Sequence, residues 1–126
     1  MKQKIIGDYY IGFDQCQLVI RAGTGGEFYP LPEKGHIPVI KIGMDYDKWR
    51  HVLAVLLHEA FEFELARHHA RWEPHEDMGN EMSGFLFVMT HVEYSDICAK
   101  VAEYIADCQR DLYKAWKKRH KRGKKG

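Results

Sequence analysis

The sequence predicts an α+β fold: a small N-terminal antiparallel sheet of about three strands, packed on one long helix and on a second, C-terminal helix. Three observations lead there. Segments 5–13 and 17–21 are rich in β-branched and aromatic residues, segment 46–69 carries apolar residues at helical intervals, and the last third is amphipathic with the same period. With 126 residues, 45% of them hydrophobic and 13% aromatic, the chain fits one domain with one core.

The first two strands are separated by a short polar stretch and are expected to form a hairpin. Residues 22–35 then read as a long loop, broken by Gly23, Gly25, Gly26, Pro30, Pro32 and Gly35. Its A-G-T-G-G portion resembles a phosphate cradle but lacks a P-loop lysine and an immediately following helix, so a turn is expected. Residues 36–44 form a third strand that alternates after Pro38, and Asp45 stands where it would cap the next helix.

That helix is expected over 46–69, with Trp49, Val52, Leu53, Leu56, Ala60 and Phe63 as its buried stripe. It should fray near Arg71 and Trp72, because Pro74 disfavours helical geometry at Glu73. A loop follows over 73–80. Segment 81–91 fits both periods: Phe85, Phe87 and Met89 alternate, whereas Phe85, Val88, Met89 and Val92 keep a helical spacing, and a helix is preferred. Ser95 begins or lies within the final helix, whose apolar side is Ile97, Val101, Tyr104, Ile105, Cys108, Leu112 and Trp116.

Charge is unevenly distributed. The formal net charge is +1, but residues 117–126 read KKRHKRGKKG, with seven Lys or Arg and no acid. Removing these seven from the 19 basic residues leaves 12 against 18 acids in 1–116, a balance of −6. Residues 1–116 are therefore taken as the domain and 117–126 as a basic, flexible tail. With no aromatic residue after Trp116, a solvated helix end and frayed tail is favoured over a specific nucleic-acid reader. A nonspecific nucleic-acid contact by the tail is the weaker expectation.

Cys16, Cys98 and Cys108 are odd in number and lack a C-x-x-C pair, so neither a disulfide framework nor a cysteine zinc knuckle is expected. The N-terminus MKQKIIGDYYIG lacks a secretory signal, and no apolar run reaches the roughly 18 residues of a membrane span. Reduced thiols, a cytoplasmic location and no membrane partner are expected.

The segment that points to chemistry is Val55-Leu56-Leu57-His58-Glu59-Ala60-Phe61-Glu62. At positions i and i+4 of a helix, His58 and Glu62 lie one turn apart on one face, so an imidazole nitrogen and a carboxylate oxygen could share one metal ion. Glu59 stands beside them, where H-E-x-x-H hydrolases place the general base that deprotonates metal-bound water. Here the segment reads H-E-x-x-E. A catalytic zinc normally takes three protein ligands and leaves one position open, so a third ligand must come from elsewhere. His91 is the first choice, if the last helix packs against the motif helix; His75, Glu76 and Asp77 are the alternatives. His69 and His51 share the face of His58 but lie about 16 Å and 10 Å along the axis, too far to bind the same ion.

The strand followed by W-x-x-V-x-x-x-L-L-H-E-A-F-E resembles the core helix of small zincin-type metallopeptidases, including phage-encoded members, over roughly residues 37–65 and more weakly as far as His91. The resemblance implies a minimal zincin-like fold, Zn²⁺ as cofactor, His58 as ligand, Glu59 as catalytic base, and Glu62 in the place of the usual second histidine. It further implies a peptide or protein substrate, and the host cytoplasm as the location if the chain is phage-encoded. The competing reading is a noncatalytic, virus-encoded interaction protein that binds a host macromolecule through its acidic body or basic tail.

Overall fold

Strands β1 (Lys4–Ile11) and β2 (Asp14–Arg21) pair antiparallel as the expected hairpin. Their tight connection uses Gly12 at φ 64°, a left-handed conformation that glycine adopts without steric cost. The computed structural model describes residues 2–30, 37–68, 71–72, 86–87 and 89–123. After β2 the chain reverses through Gly23 and Gly25, at φ 87° and 74°, into β3 (Gly26–Tyr29) and returns as β4 (Val39–Gly43). The sheet order is β1-β2-β4-β3, with β4 parallel to β2 and antiparallel to β3.

The expected antiparallel sheet of about three strands is thus a mixed sheet of four. The difference comes from segment 22–35, expected to be all loop, part of which is β3. Because the chain goes to the far edge before returning, β4 enters between β2 and β3 and runs alongside β2 in the same direction. Cys16, Leu18 and Ile20 of β2 and Ile40 and Ile42 of β4 alternate onto one buried face, as period-two geometry requires.

Helix α1 (Trp49–Arg67) lies on that face and buries Val52, Leu56, Ala60 and Phe63, the centre of the expected stripe; Trp49 and Leu53 are partly buried at its margin. Its N-cap is Lys48, without a side-chain cap bond. Asp45 is otherwise engaged, since its carboxylate accepts the Gly23 N–H and the Arg119 guanidinium. The helix stops at Arg67, and Arg71–Trp72 form β5, paired antiparallel with β6 (Leu86–Phe87). The preference for a helix over 81–91 is therefore overturned at Leu86 and Phe87, where a strand partner lets the period-two pattern prevail. His69 and residues 73–85 lie outside the described residues.

Helix α2 (His91–Gly123) begins with a reciprocal cap: Glu93 N–H donates to Thr90 Oγ1 at 3.1 Å, and Thr90 N–H donates to Glu93 Oε1 at 3.3 Å. Ile97, Val101, Tyr104, Cys108 and Leu112 are buried in the common core. The helix does not end at Trp116. It continues to Gly123, so most of the segment expected as a flexible tail is the last two turns of α2.

α1 and α2 run antiparallel. Lys100 meets His68 at the C-terminal end of α1 (3.3 Å), while Tyr113 and Trp116 stack on Trp49 at its start, at centroid distances of 5.1 and 5.9 Å. Among the described residues, no helix is long and apolar enough to cross a membrane.

Candidate metal centre

The H-E-x-x-E turn faces the β3 side of α1. Val55 and Glu59, one turn apart, pack beneath Gly26, the first residue of β3. A methyl group on Gly26 would stand 2.8 Å from Glu59 Cγ and 3.0 Å from Val55 Cγ1. Glycine at 26 therefore lets edge strand and helix approach closely enough to bury Glu59, which is only 6% exposed. The carboxylate that a hydrolase would use as base is the buried member of the turn.

His58 and Glu62 flank it, with His58 Nε2 3.5 Å from Glu62 Oε2. The imidazole is open to solvent, its side chain 65% exposed, and Glu62 is half-buried at 21%. His58, Glu59 and Glu62 can each offer one ligand atom such that all three lie within 4.8 Å of one another. One imidazole nitrogen with two carboxylate oxygens, reached from the solvent side, is a donor set that suits Zn²⁺ or a similar divalent ion. These residue types can ligate such an ion, and their spacing lets the three groups approach a common point.

His91 does not join them. It occupies the exposed first position of α2, and because the helices run antiparallel this end of α2 lies past the C-terminus of α1. The contacts Lys100–His68 and Trp116–Trp49 place His58 level with about residue 107 of α2, leaving His91 roughly 25 Å away along the axis. The set His58, Glu62 and His91 is not assembled: of the three expected ligands only His58 and Glu62 come together, with the Glu59 carboxylate beside them. His75, Glu76 and Asp77 lie outside the described residues. His51 is exposed and packs edge-on to Tyr46, at 6.2 Å between centroids.

Two further polar sites are occupied from within the chain. The glycine-rich turn that resembles a phosphate cradle directs the Gly23 N–H to the Asp45 carboxylate and the Gly25 N–H to the Tyr46 hydroxyl at 2.6 Å. The Gly23 hydrogen bond, and then Arg119, hold the Asp45 carboxyl below its ordinary pKa. An internal carboxylate fills the place an external anion would take.

At the C-terminal end of α1, buried Glu64 lies 3.3 Å from His68 Nε2, which is 3.5 Å from Asp96; Asp96 in turn pairs with Lys100 at 3.0 Å. Burial raises the Glu64 pKa, against the opposing pull of Lys100 and His68. The i,i+4 spacings Glu64/His68 and Asp96/Lys100 were visible in the sequence; their convergence across two helices was not. The cluster fastens α1 to α2.

The two buried thiols give no competing chemistry. Burial pushes Cys16 and Cys108 up to about 12, so both remain protonated and poor as nucleophiles or ligands at neutral pH. No protein-family profile, curated protein or solved structure matches the chain.

Proposed function

We propose that this chain is a zinc-binding protein of metallohydrolase type, acting on a peptide or protein. The observation that carries the proposal is the convergence of His58, Glu59 and Glu62 within 4.8 Å on one turn of a helix anchored in the core. In this reading His58 Nε2 and a Glu62 carboxylate oxygen hold the ion, and the Glu59 carboxylate accepts the proton of the attacking water. Zn²⁺, when bound, supplies an acidified water and polarises the substrate carbonyl. Gly26 packs against Glu59 Cγ and Val55 Cγ1, so the stem of Glu59 is held between α1 and β3. Among the described strands β3 is at the edge of the sheet and runs beside the site, and a strand edge can pair with an extended peptide.

The remoteness of His91 supports a second reading, a noncatalytic protein that binds a macromolecule, in which His58–Glu62 is an ordinary i,i+4 pair. Metal analysis of protein purified without a histidine tag separates the two. Stoichiometric zinc that is lost in His58→Ala, together with peptide cleavage that disappears in Glu59→Gln, is the expected result. Absence of metal from wild-type protein, with wild type and His58→Ala alike in titration with Zn²⁺, overturns the proposal.

A further inference from the structure

The C-terminal part of α2 carries a line of cations that the fold holds in place and leaves open. Arg110, Lys114, Lys117 and Lys121 follow one another at steps of four, three and four residues, and all four are exposed. On an α-helix these steps keep them on one stripe about 16 Å long. None makes an ion pair with any described residue. Lys118 is exposed at the side of the stripe, and Lys117 lies 5.5 Å from the centre of the Tyr113 ring.

The opposite face of the same turns is anchored. Trp116 Nε1–H donates to the Tyr46 carbonyl at 2.9 Å, the His120 ring lies 4.5 Å from that of Trp116, and Arg119 pairs with Asp45 at 2.6 Å. Anchoring by Trp116, Arg119 and His120 makes the first part of the basic tail a continuation of the helix, whose four outer charges have no ion-pair partner among the described residues.

We propose that this stripe is a contact surface for the phosphate backbone of a nucleic-acid duplex. At one phosphate per about 1.7 Å of duplex axis, both strands counted, the roughly 16 Å line of cations lies along a length of duplex that carries about nine phosphates, so each of the four cations can reach one. Recognition is electrostatic and independent of sequence, since among the described residues no exposed large hydrophobic one follows Tyr94 to stack on or wedge between bases. The same absence disfavours an anionic membrane, where a basic helix must also insert an apolar face: on α2 that face is Ile97, Val101, Tyr104, Cys108 and Leu112, all buried in the core. A second copy of the chain is the other acidic candidate, because Glu103 and Asp107 are exposed on the preceding turns of α2; among the described residues no exposed large hydrophobic side chain accompanies them on those turns to form an interface centre.

The test is fluorescence anisotropy with short labelled DNA and RNA duplexes, using the full chain and an Arg110→Gln/Lys114→Gln/Lys117→Gln/Lys121→Gln variant. These exposed substitutions leave the anchoring contacts intact, and an unchanged melting curve verifies the fold. A Lys114→Arg/Lys117→Arg/Lys121→Arg variant preserves the charge and should bind as wild type does. Four phosphate contacts predict a slope of about −3.6 in log K against log salt, or about 150-fold weaker binding at 200 than at 50 mM salt. The quadruple variant should lose that binding and slope. Duplex binding unaffected by the four substitutions overturns the proposal. So does binding to anionic vesicles but not to duplex, or a salt-sensitive self-association in sedimentation that vanishes in the quadruple variant while duplex binding is absent.

Discussion

Arg119 Nη2 stands 2.6 Å from Asp45 Oδ1 across 74 residues of sequence, and the other oxygen of the same carboxylate accepts the Gly23 N–H. One side chain thereby joins the glycine turn after β2, the entry to α1 and the last turns of α2. Because Asp45 is held below its ordinary pKa of 3.8, its contribution to stability is fully present above about pH 4 and is lost as pH falls through the depressed value. Urea unfolding should therefore show a gap between wild type and Asp45→Asn that is constant from neutral pH to about pH 5 and narrows below pH 4. Arg119→Gln should cost about 0.5 kcal/mol at neutral pH, the scale of a solvent-exposed ion pair, and a truncation after Trp116 should cost at least as much.

Gly26→Ala tests the packing of β3 over the motif helix. The backbone at 26 tolerates any residue, but the added methyl meets Glu59 Cγ at 2.8 Å and the Lys41 carbonyl oxygen at 3.0 Å. Overpacking of this kind should lower stability by about 1–3 kcal/mol. Glu59 is the most readily displaced neighbour, so peptide cleavage that relies on it as base should fall. A variant as stable as wild type and unchanged in peptide cleavage would show that the close approach is not needed.

Separate outcomes are expected for the three residues of the H-E-x-x-E turn. His58→Ala should abolish zinc binding, and Glu62→Ala should weaken it. Glu59→Gln should keep the metal and the fold while eliminating hydrolysis, since an amide cannot accept the water proton. Because Glu59 stands in the same 4.8 Å group, isothermal titration of Glu59→Gln with zinc is the informative measurement. Loss of the metal in that variant, with retention in Glu62→Ala, would make Glu59 a ligand and remove the proposed base.

Glu64 should make the protein less stable as pH rises. Its pKa is raised in the folded state, so unfolding releases a proton between its unfolded value near 4.5 and its higher folded value, and stability falls across that window. Glu64→Gln removes this slope. Chemical denaturation at a series of pH values should show the variant gaining on wild type as pH increases above about 4.5. A constant difference would mean that the pairs with His68 and Lys100 offset the burial entirely.

The sequence by itself determined the elements whose burial follows a strong period: the β1–β2 hairpin, the buried stripe of α1 from Val52 to Phe63, and the apolar side of α2. It also determined that His58 and Glu62 face the same way, because i,i+4 spacing fixes this on any helix. What it left open depended on partners distant in the chain. Glu27, Phe28 and Tyr29 form a strand because β4 offers them an edge, and Leu86 and Phe87 because Arg71 and Trp72 do. Asp45 was a sound helix cap by local rules, yet the Gly23 N–H and Arg119 claim its carboxylate. The direction in which α2 packs removed His91 from the centre, and the closeness of Gly26 to the helix placed Glu59 within it. Periodicity specifies which face of an element is buried; only the assembled helices and sheet decide what that face meets.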